Sequence, residues 1–119
     1  MSKQIISKQK ISHRNTSQKN WDQLQSKIIT CTQCTRLRKY CKKISLVKLA
    51  SLNDEKYWGK PVPNFGNSNA KLMIIGLAPA AHGANRTGRM FTGDKSGEWL
   101  YRALFKTGFA NQQKSENRS

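Results

Sequence analysis

Acidic residues are scarce in this chain. Six Asp and Glu stand against 22 Lys and Arg in 119 residues, a formal charge of +16. No acid falls within residues 1–20 or 23–53, which excludes an acidic interaction tail. Self-repulsion on this scale opposes compaction unless a polyanion or cofactor offsets it. Such charge is either a solubility device or the mark of a phosphate partner, and nucleic acid is the expected one, because phosphates attract clustered Lys and Arg whatever the base sequence. Long hydrophobic runs are missing as well. No apolar stretch approaches the ~20 residues of a membrane helix, so a membrane-spanning protein is excluded. Apolar residues make up 36% of the chain, below the usual ~45–50%. The three cysteines form no even disulfide set and follow no secretory h-region, so a reducing, cytoplasmic setting is expected. The length allows one compact domain, burying roughly two-thirds of its unfolded surface.

What is present divides the chain unevenly. Residues 1–20 are rich in Lys, Gln, Ser and Asn without sustained periodicity, and are expected to form a disordered basic arm. Asn20 is a candidate N-cap with Gln23 at the capping-box position, opening a short helix through Trp21, Leu24 and Ile28. After Cys31-Thr32-Gln33-Cys34, the residues Leu37, Tyr40, Cys41, Ile44 and Val47 line one face of a second helix. Its other face carries Arg36, Arg38, Lys39, Lys42, Lys43 and Lys48. Residues 53–70 read as loop. Leu72-Met73-Ile74-Ile75 then forms a short apolar run, the pattern of a strand buried on both faces of a parallel sheet. A Gly-rich loop follows, and Ser96 is the expected cap of a helix carrying Leu100, Ala103 and Leu104, ended by Gly108. Residues 112–119 read as a disordered tail. One convincing strand is too few for a sheet, so residues 21–111 look like the first part of an α/β domain.

Ligands in open α/β sheets bind beyond the carboxyl ends of strands, where the loop from Gly76 onward lies. Residues 88–96 come within one inserted residue of a phosphate-binding loop. Asp94 would aim a carboxylate at the phosphates, however, and the segment does not spring directly from the strand. An NTPase is rejected on those two counts. Asp94 is then either a helix cap or solvated ion pair among Arg86, Arg89 and Lys95, or a carboxylate that orients water. His82 either donates to a ligand or bonds backbone. Phe91 either enters the core or offers a stacking face to a base. Cys31 and Cys34 have soft-metal spacing but make half a site, since zinc and [4Fe–4S] sites use four ligands. Cys41, on the apolar face, reads as a buried thiol.

The run Gly76-Leu77-Ala78-Pro79-Ala80-Ala81-His82-Gly83-Ala84-Asn85-Arg86-Thr87-Gly88-Arg89-Met90-Phe91-Thr92-Gly93-Asp94 closely resembles the first active-site motif of type-5 uracil-DNA glycosylases, the iron–sulfur branch of their superfamily. Cys31-x-x-Cys34 with Arg36-Leu37, the block from Tyr57-Trp58-Gly59 to Phe65-Gly66, and Gly108-Phe109-Ala110-Asn111-Gln112 resemble the same family. The resemblance spans about residues 23–112. It implies a three-layer α/β/α fold with a central parallel sheet. It also implies a DNA-repair hydrolase that cleaves the N-glycosidic bond of uracil, and of other deaminated bases, in DNA. By position, Asp94 matches the water-activating acid. Gly76, Leu77, Ala78, Pro79, Ala80 and His82 match the loop shaping the base pocket, and Phe91 matches the aromatic stacked on the flipped base. Cys31 and Cys34 match the first two ligands of a [4Fe–4S] cluster. Ala80 stands where some relatives carry a polar catalytic residue.

The family's other two cluster cysteines, its pyrimidine-reading asparagine and its His-containing loop have no counterpart here, and the resemblance ends after Gln112. A truncated domain is therefore expected, monomeric and with little or no activity by itself. The rival expectation is a non-catalytic basic nucleic-acid-binding module using Cys31, Cys34, Cys41 and His13 for zinc.

Overall fold

The computed structural model describes residues 2–118, with side chains described from residue 16 onward. Four helices form it: α1 (Ser2–Ile29), α2 (Thr35–Val47), the single turn α3 (Ala84–Thr87) and α4 (Lys95–Lys106). A 3-10 turn, Ala50–Leu52, follows α2. The backbone of α1 is helical from Ser2, through the stretch that composition assigns to a basic arm. Asn20 is thus interior to a helix and caps nothing. No Gly or Pro occurs before Gly59, so nothing in the backbone forces a helix start at residue 20.

Alpha-helical amphipathicity does little of the packing. Leu37, Tyr40 and Val47 of α2 are exposed, although they share its apolar side. The helix is held at its polar edges instead. Arg38 donates to the Gly59 carbonyl at 2.8 Å, and the Asn85 amide donates to the Cys41 carbonyl at 3.2 Å. The end of α1 is fastened by Gln25, whose amide both donates to the Asn64 carbonyl and accepts from the Asn64 N–H. The expected loop between residues 53 and 70 is irregular throughout.

The expected sheet is not formed among the described residues, which contain no strand. Leu72 to Ile75 are irregular with no ladder partner, and Met73, Ile75 and Leu77 are 79%, 84% and 104% exposed. The reason is topological. A strand satisfies its N–H and C=O groups only against a neighbouring strand, and this chain supplies one candidate. The buried centre lies further on, around Tyr57, Ala84 and Tyr101, with Asn85, Thr92 and Ser115 enclosed among them. Residues 112–118, read from composition as a disordered tail, lie back against this centre. The Gly93 N–H donates to the Ser115 carbonyl at 2.8 Å, and the buried Thr92 and Ser115 hydroxyls meet at 2.7 Å. The radius of gyration, 17.8 Å, exceeds the roughly 13.5 Å of a compact chain of this length, as an unpartnered segment and a projecting α1 require.

Amide hydrogen exchange checks this arrangement. Residues 73–77 are expected to exchange without protection while the interior amides of α4 are slowed. Protection at 73–77 equal to that of α4 would refute an unpaired segment.

Candidate active site

The loop from Gly76 to Asp94 doubles back on itself, and glycines make this possible where its two limbs meet. A Cβ on Gly76 would stand 2.9 Å from Phe91 Cζ, so the Phe91 ring lies directly on the Gly76 backbone. A Cβ on Gly83 would run into the Asp94 carboxylate at Oδ2. Between these contacts α3 forms a single turn, closed by Gly88 in the left-handed region at φ 72°. The Trp58 ring lies against Gly88, 2.8 Å from where its Cβ would stand.

Arg86 ties the doubled loop together. Its Nε donates to the His82 carbonyl at 2.7 Å, its Nη2 to the Gly93 carbonyl at 3.3 Å, and its Nη1 pairs with Glu55 at 2.5 Å. Two limbs of the loop and the preceding segment thereby share one guanidinium, whose planar fork suits such a junction. Phe91 has a φ of 51°, a strained backbone for a bulky residue, costing about 1–3 kcal/mol. The surroundings hold it there: Gly76 lies under the ring, and a Cβ on Gly97 would collide with the Phe91 carbonyl.

Asp94, rather than Ser96, caps α4. Its Oδ1 accepts from the Gly97 N–H at 2.9 Å, while Ser96 is an exposed residue of the first turn. The cap falls two residues earlier than the sequence indicates because Asp94, in extended conformation with φ −144° and ψ 165°, reaches the N–H three residues on. The ion-pair reading of Asp94 is not what the structure holds. Among the described residues it joins no salt bridge. Arg86 pairs with Glu55, and Arg89 turns away to stack 3.9 Å above Phe65 and to donate to the Tyr101 hydroxyl at 3.3 Å. Oδ1 is thus committed to the helix, while Oδ2 accepts no hydrogen bond among the described residues. Gly108, at φ 77°, ends α4 as expected, with the Phe109 N–H returning to the Leu104 carbonyl at 2.8 Å.

The loop therefore gathers Gly76, Ala80, His82, Phe91 and Asp94, with the Ala80 carbonyl accepting from the Asn85 N–H at 3.0 Å. Leu77, Ala78 and Pro79 remain exposed, so that side of the expected base pocket is open. Sequence reasoning passed over Tyr57, whose hydroxyl lies 2.9 Å from His82 Nδ1, and Gly83, whose missing side chain admits Asp94. The signal for Gly83 was present in its type, a glycine preceding a helical turn inside a ligand loop. Tyr57 stands at the head of a family-like block, but nothing local indicated its partner.

Cys31 and Cys34 are exposed in the turn between α1 and α2, Cys41 is half-buried, and all three are free thiols. Among the described residues no three of His, Cys, Asp and Glu converge as metal ligands. His13, offered with them for zinc, lies outside the described side chains. Two thiols supply half of a four-thiolate set, so these residues do not by themselves fit a [4Fe–4S] cluster.

Residues 63–115 match the model of the uracil DNA glycosylase superfamily, a family of α/β fold. More narrowly, the chain is similar to type-5 uracil-DNA glycosylases, as the motifs indicate. It is 51% identical over 89 residues to that of Mycobacterium leprae, covering 75% of this chain and 39% of the relative. Over 98 residues it is 45% identical to that of Pyrobaculum aerophilum, covering 82% and 42%. Over 88 residues it is 43% identical to that of Thermus thermophilus, covering 74% and 40%. The chain thus spans about two-fifths of the length of these relatives. No helix among the described residues is long and apolar enough to cross a membrane.

Two substitutions test the geometry. Asp94→Ala is expected to destabilise the fold by about 1 kcal/mol through loss of the cap, and Asp94→Asn by only a few tenths. Gly83→Ala, which drives a methyl into the carboxylate, is expected to cost about 1–3 kcal/mol. Urea unfolding followed by circular dichroism measures all three. An Asp94→Ala midpoint equal to wild type would contradict the cap.

Proposed function

We propose that this chain carries the first part of the active site of a DNA-repair glycosylase, one that hydrolyses the N-glycosidic bond of uracil in DNA. The observation that supports it best is the Asp94 carboxylate, with one oxygen fastened to α4 and the other unbonded against Gly83, next to a Phe91 ring seated on Gly76. Cleavage of the C1′–N1 bond builds positive charge on the sugar and negative charge on the base. A carboxylate beside the sugar stabilises the first and orients the attacking water, whose oxygen bonds to C1′. The base must first leave the stack, at a cost of a few kcal/mol. Stacking on Phe91 returns about 1–3 kcal/mol. The loop from Gly76 to His82 borders the place the base would occupy.

In this reading Cys31 and Cys34 supply two thiolates toward a cluster of the iron–sulfur type, and no step of the hydrolysis runs through it. Exposed Arg36, Lys39, Lys42 and Lys43 on α2 hold the DNA strand through its phosphates. A cytoplasmic, monomeric protein acting on uracil-containing DNA completes the proposal.

The reading is tested by grafting residues 23–112 in place of the matched segment of the Thermus thermophilus glycosylase and measuring abasic-site formation in uracil-containing DNA. The graft is expected to be active, and Asp94→Asn within it to lower the rate by about 10²–10⁴. That variant keeps the cap and removes the carboxylate, so it separates chemistry from folding. Undiminished activity in Asp94→Asn would end the assignment.

Binding of the 119-residue chain to single-stranded DNA is expected to weaken steeply with salt. Replacing Lys39 and Lys43 with Gln should flatten the logarithmic salt slope by about 0.7 per charge removed. Fluorescence anisotropy at several salt concentrations checks it, and an unchanged slope would remove α2 from the DNA interface.

A further inference from the structure

One polar pair at the site is used by neither the hydrolysis nor the loop's own architecture. His82 lies in the turn that enters α3, with Nδ1 2.9 Å from the Tyr57 hydroxyl and the two rings edge to face at 5.9 Å and 80°. Tyr57 is buried, 8% exposed. Its position is set by α3 itself. The neighbouring Trp58 N–H donates to the Arg86 carbonyl at 2.8 Å, and the Gly59 N–H to the Asn85 carbonyl at 3.0 Å. On the other side, the His82 backbone carbonyl accepts from Arg86 Nε at 2.7 Å. Ring and hydroxyl are therefore referenced to the same turn of helix, and their separation cannot change unless that turn moves.

A neutral imidazole carries its proton on one nitrogen, and the hydrogen bond made by the other decides which. A phenol is the better donor of this pair and an imidazole nitrogen the better acceptor. Among the described residues, His82 is the hydrogen-bond partner of the Tyr57 hydroxyl. The charged groups nearby are already engaged. Glu55 pairs with Arg86, Arg86 also reaches the Gly93 carbonyl, and Asp94 gives Oδ1 to Gly97 and leaves Oδ2 against Gly83; among the described residues the hydrogen bond at Nδ1 is the one with the Tyr57 hydroxyl.

We propose that Tyr57 is a positioning residue that locks His82 in its Nε2–H tautomer, making the ring a hydrogen-bond donor at the border of the base site. The tautomer stands on the pair alone. Its acceptor, a carbonyl oxygen of the departing base as negative charge gathers there, rests on the function proposed above. A ring in the other tautomer would present a lone pair to that oxygen and repel it.

The test is the imidazole nitrogen spectrum of the full chain, labelled with 15N. Of the two histidines, His13 is removed by His13→Gln, which leaves His82 alone in long-range 1H–15N correlations. In the neutral ring, Nδ1 is expected at the shift of an unprotonated acceptor and Nε2 at that of a protonated nitrogen. Tyr57→Phe is expected to shift both toward the tautomer mixture of a free imidazole, with helix content unchanged by circular dichroism. Should Tyr57→Phe unfold the chain, fluorotyrosine at position 57 keeps the packing, and its more acidic hydroxyl is expected to shift Nδ1 further toward the hydrogen-bonded limit. A protonated Nδ1 in the parent chain would overturn the proposal, as would nitrogen shifts unmoved by the substitution at position 57. The spectrum needs no turnover, so an inactive graft would count against the glycosylase reading and not against the tautomer.

Discussion

One carboxylate joins the two halves of this structure. Asp94 closes the N-terminal end of α4 with Oδ1 and rests Oδ2 on the bare backbone of Gly83. The cap fixes where the helix starts, and the contact fixes how tightly the preceding loop folds. Structural and chemical readings of an acid in a ligand loop usually compete. Under the proposed function they divide between the two oxygens of a single side chain, and the helix bond holds the carboxylate in one orientation. That is the preorganisation a charge-stabilising group requires, because little reorientation is left for the moment of reaction.

The second constraint is the shortage of negative charge. With six acids for 22 cations, most Lys and Arg side chains cannot find a carboxylate. They turn to backbone carbonyls and aromatic faces. Arg38 takes the Gly59 carbonyl and Lys48 the Asn53 carbonyl, while Arg89 stacks on Phe65, Arg102 on Trp99 and Arg118 on Trp58. Such contacts contribute about 0.5–1 kcal/mol each where exposed. They neutralise nothing, so the field of the chain remains strongly positive and available to a polyanion.

Much of the candidate site could be read from the sequence because it is continuous there. The loop from Gly76 to Asp94 is one run whose residue types can be matched one by one, and the glycine ending α4 follows from local backbone rules. The cap of α4 was misplaced by two residues because Asp94 and Ser96 are both good caps, and only the extended conformation of Asp94 chooses between them. The contacts of Tyr57 and Arg86 were illegible for another reason. Their partners, His82 for one and Glu55 and Gly93 for the other, depend on where separate segments pass one another, and no local pattern encodes that.

The buried strand shows the opposite relation. Leu72 to Ile75 have every local mark of a sheet interior, yet the segment lies open to solvent. A strand is a property of at least two segments, since its backbone groups are satisfied across the gap between them. By itself the sequence determined the charge, the helices after Cys34 and before Gly108, and the family-like run from Gly76 to Asp94, all written in neighbouring residues. Tertiary structure alone decided that Asp94 meets Gly83, that Phe91 lies on Gly76 and that Tyr57 faces His82, because each contact forms only once the chain has turned back on itself.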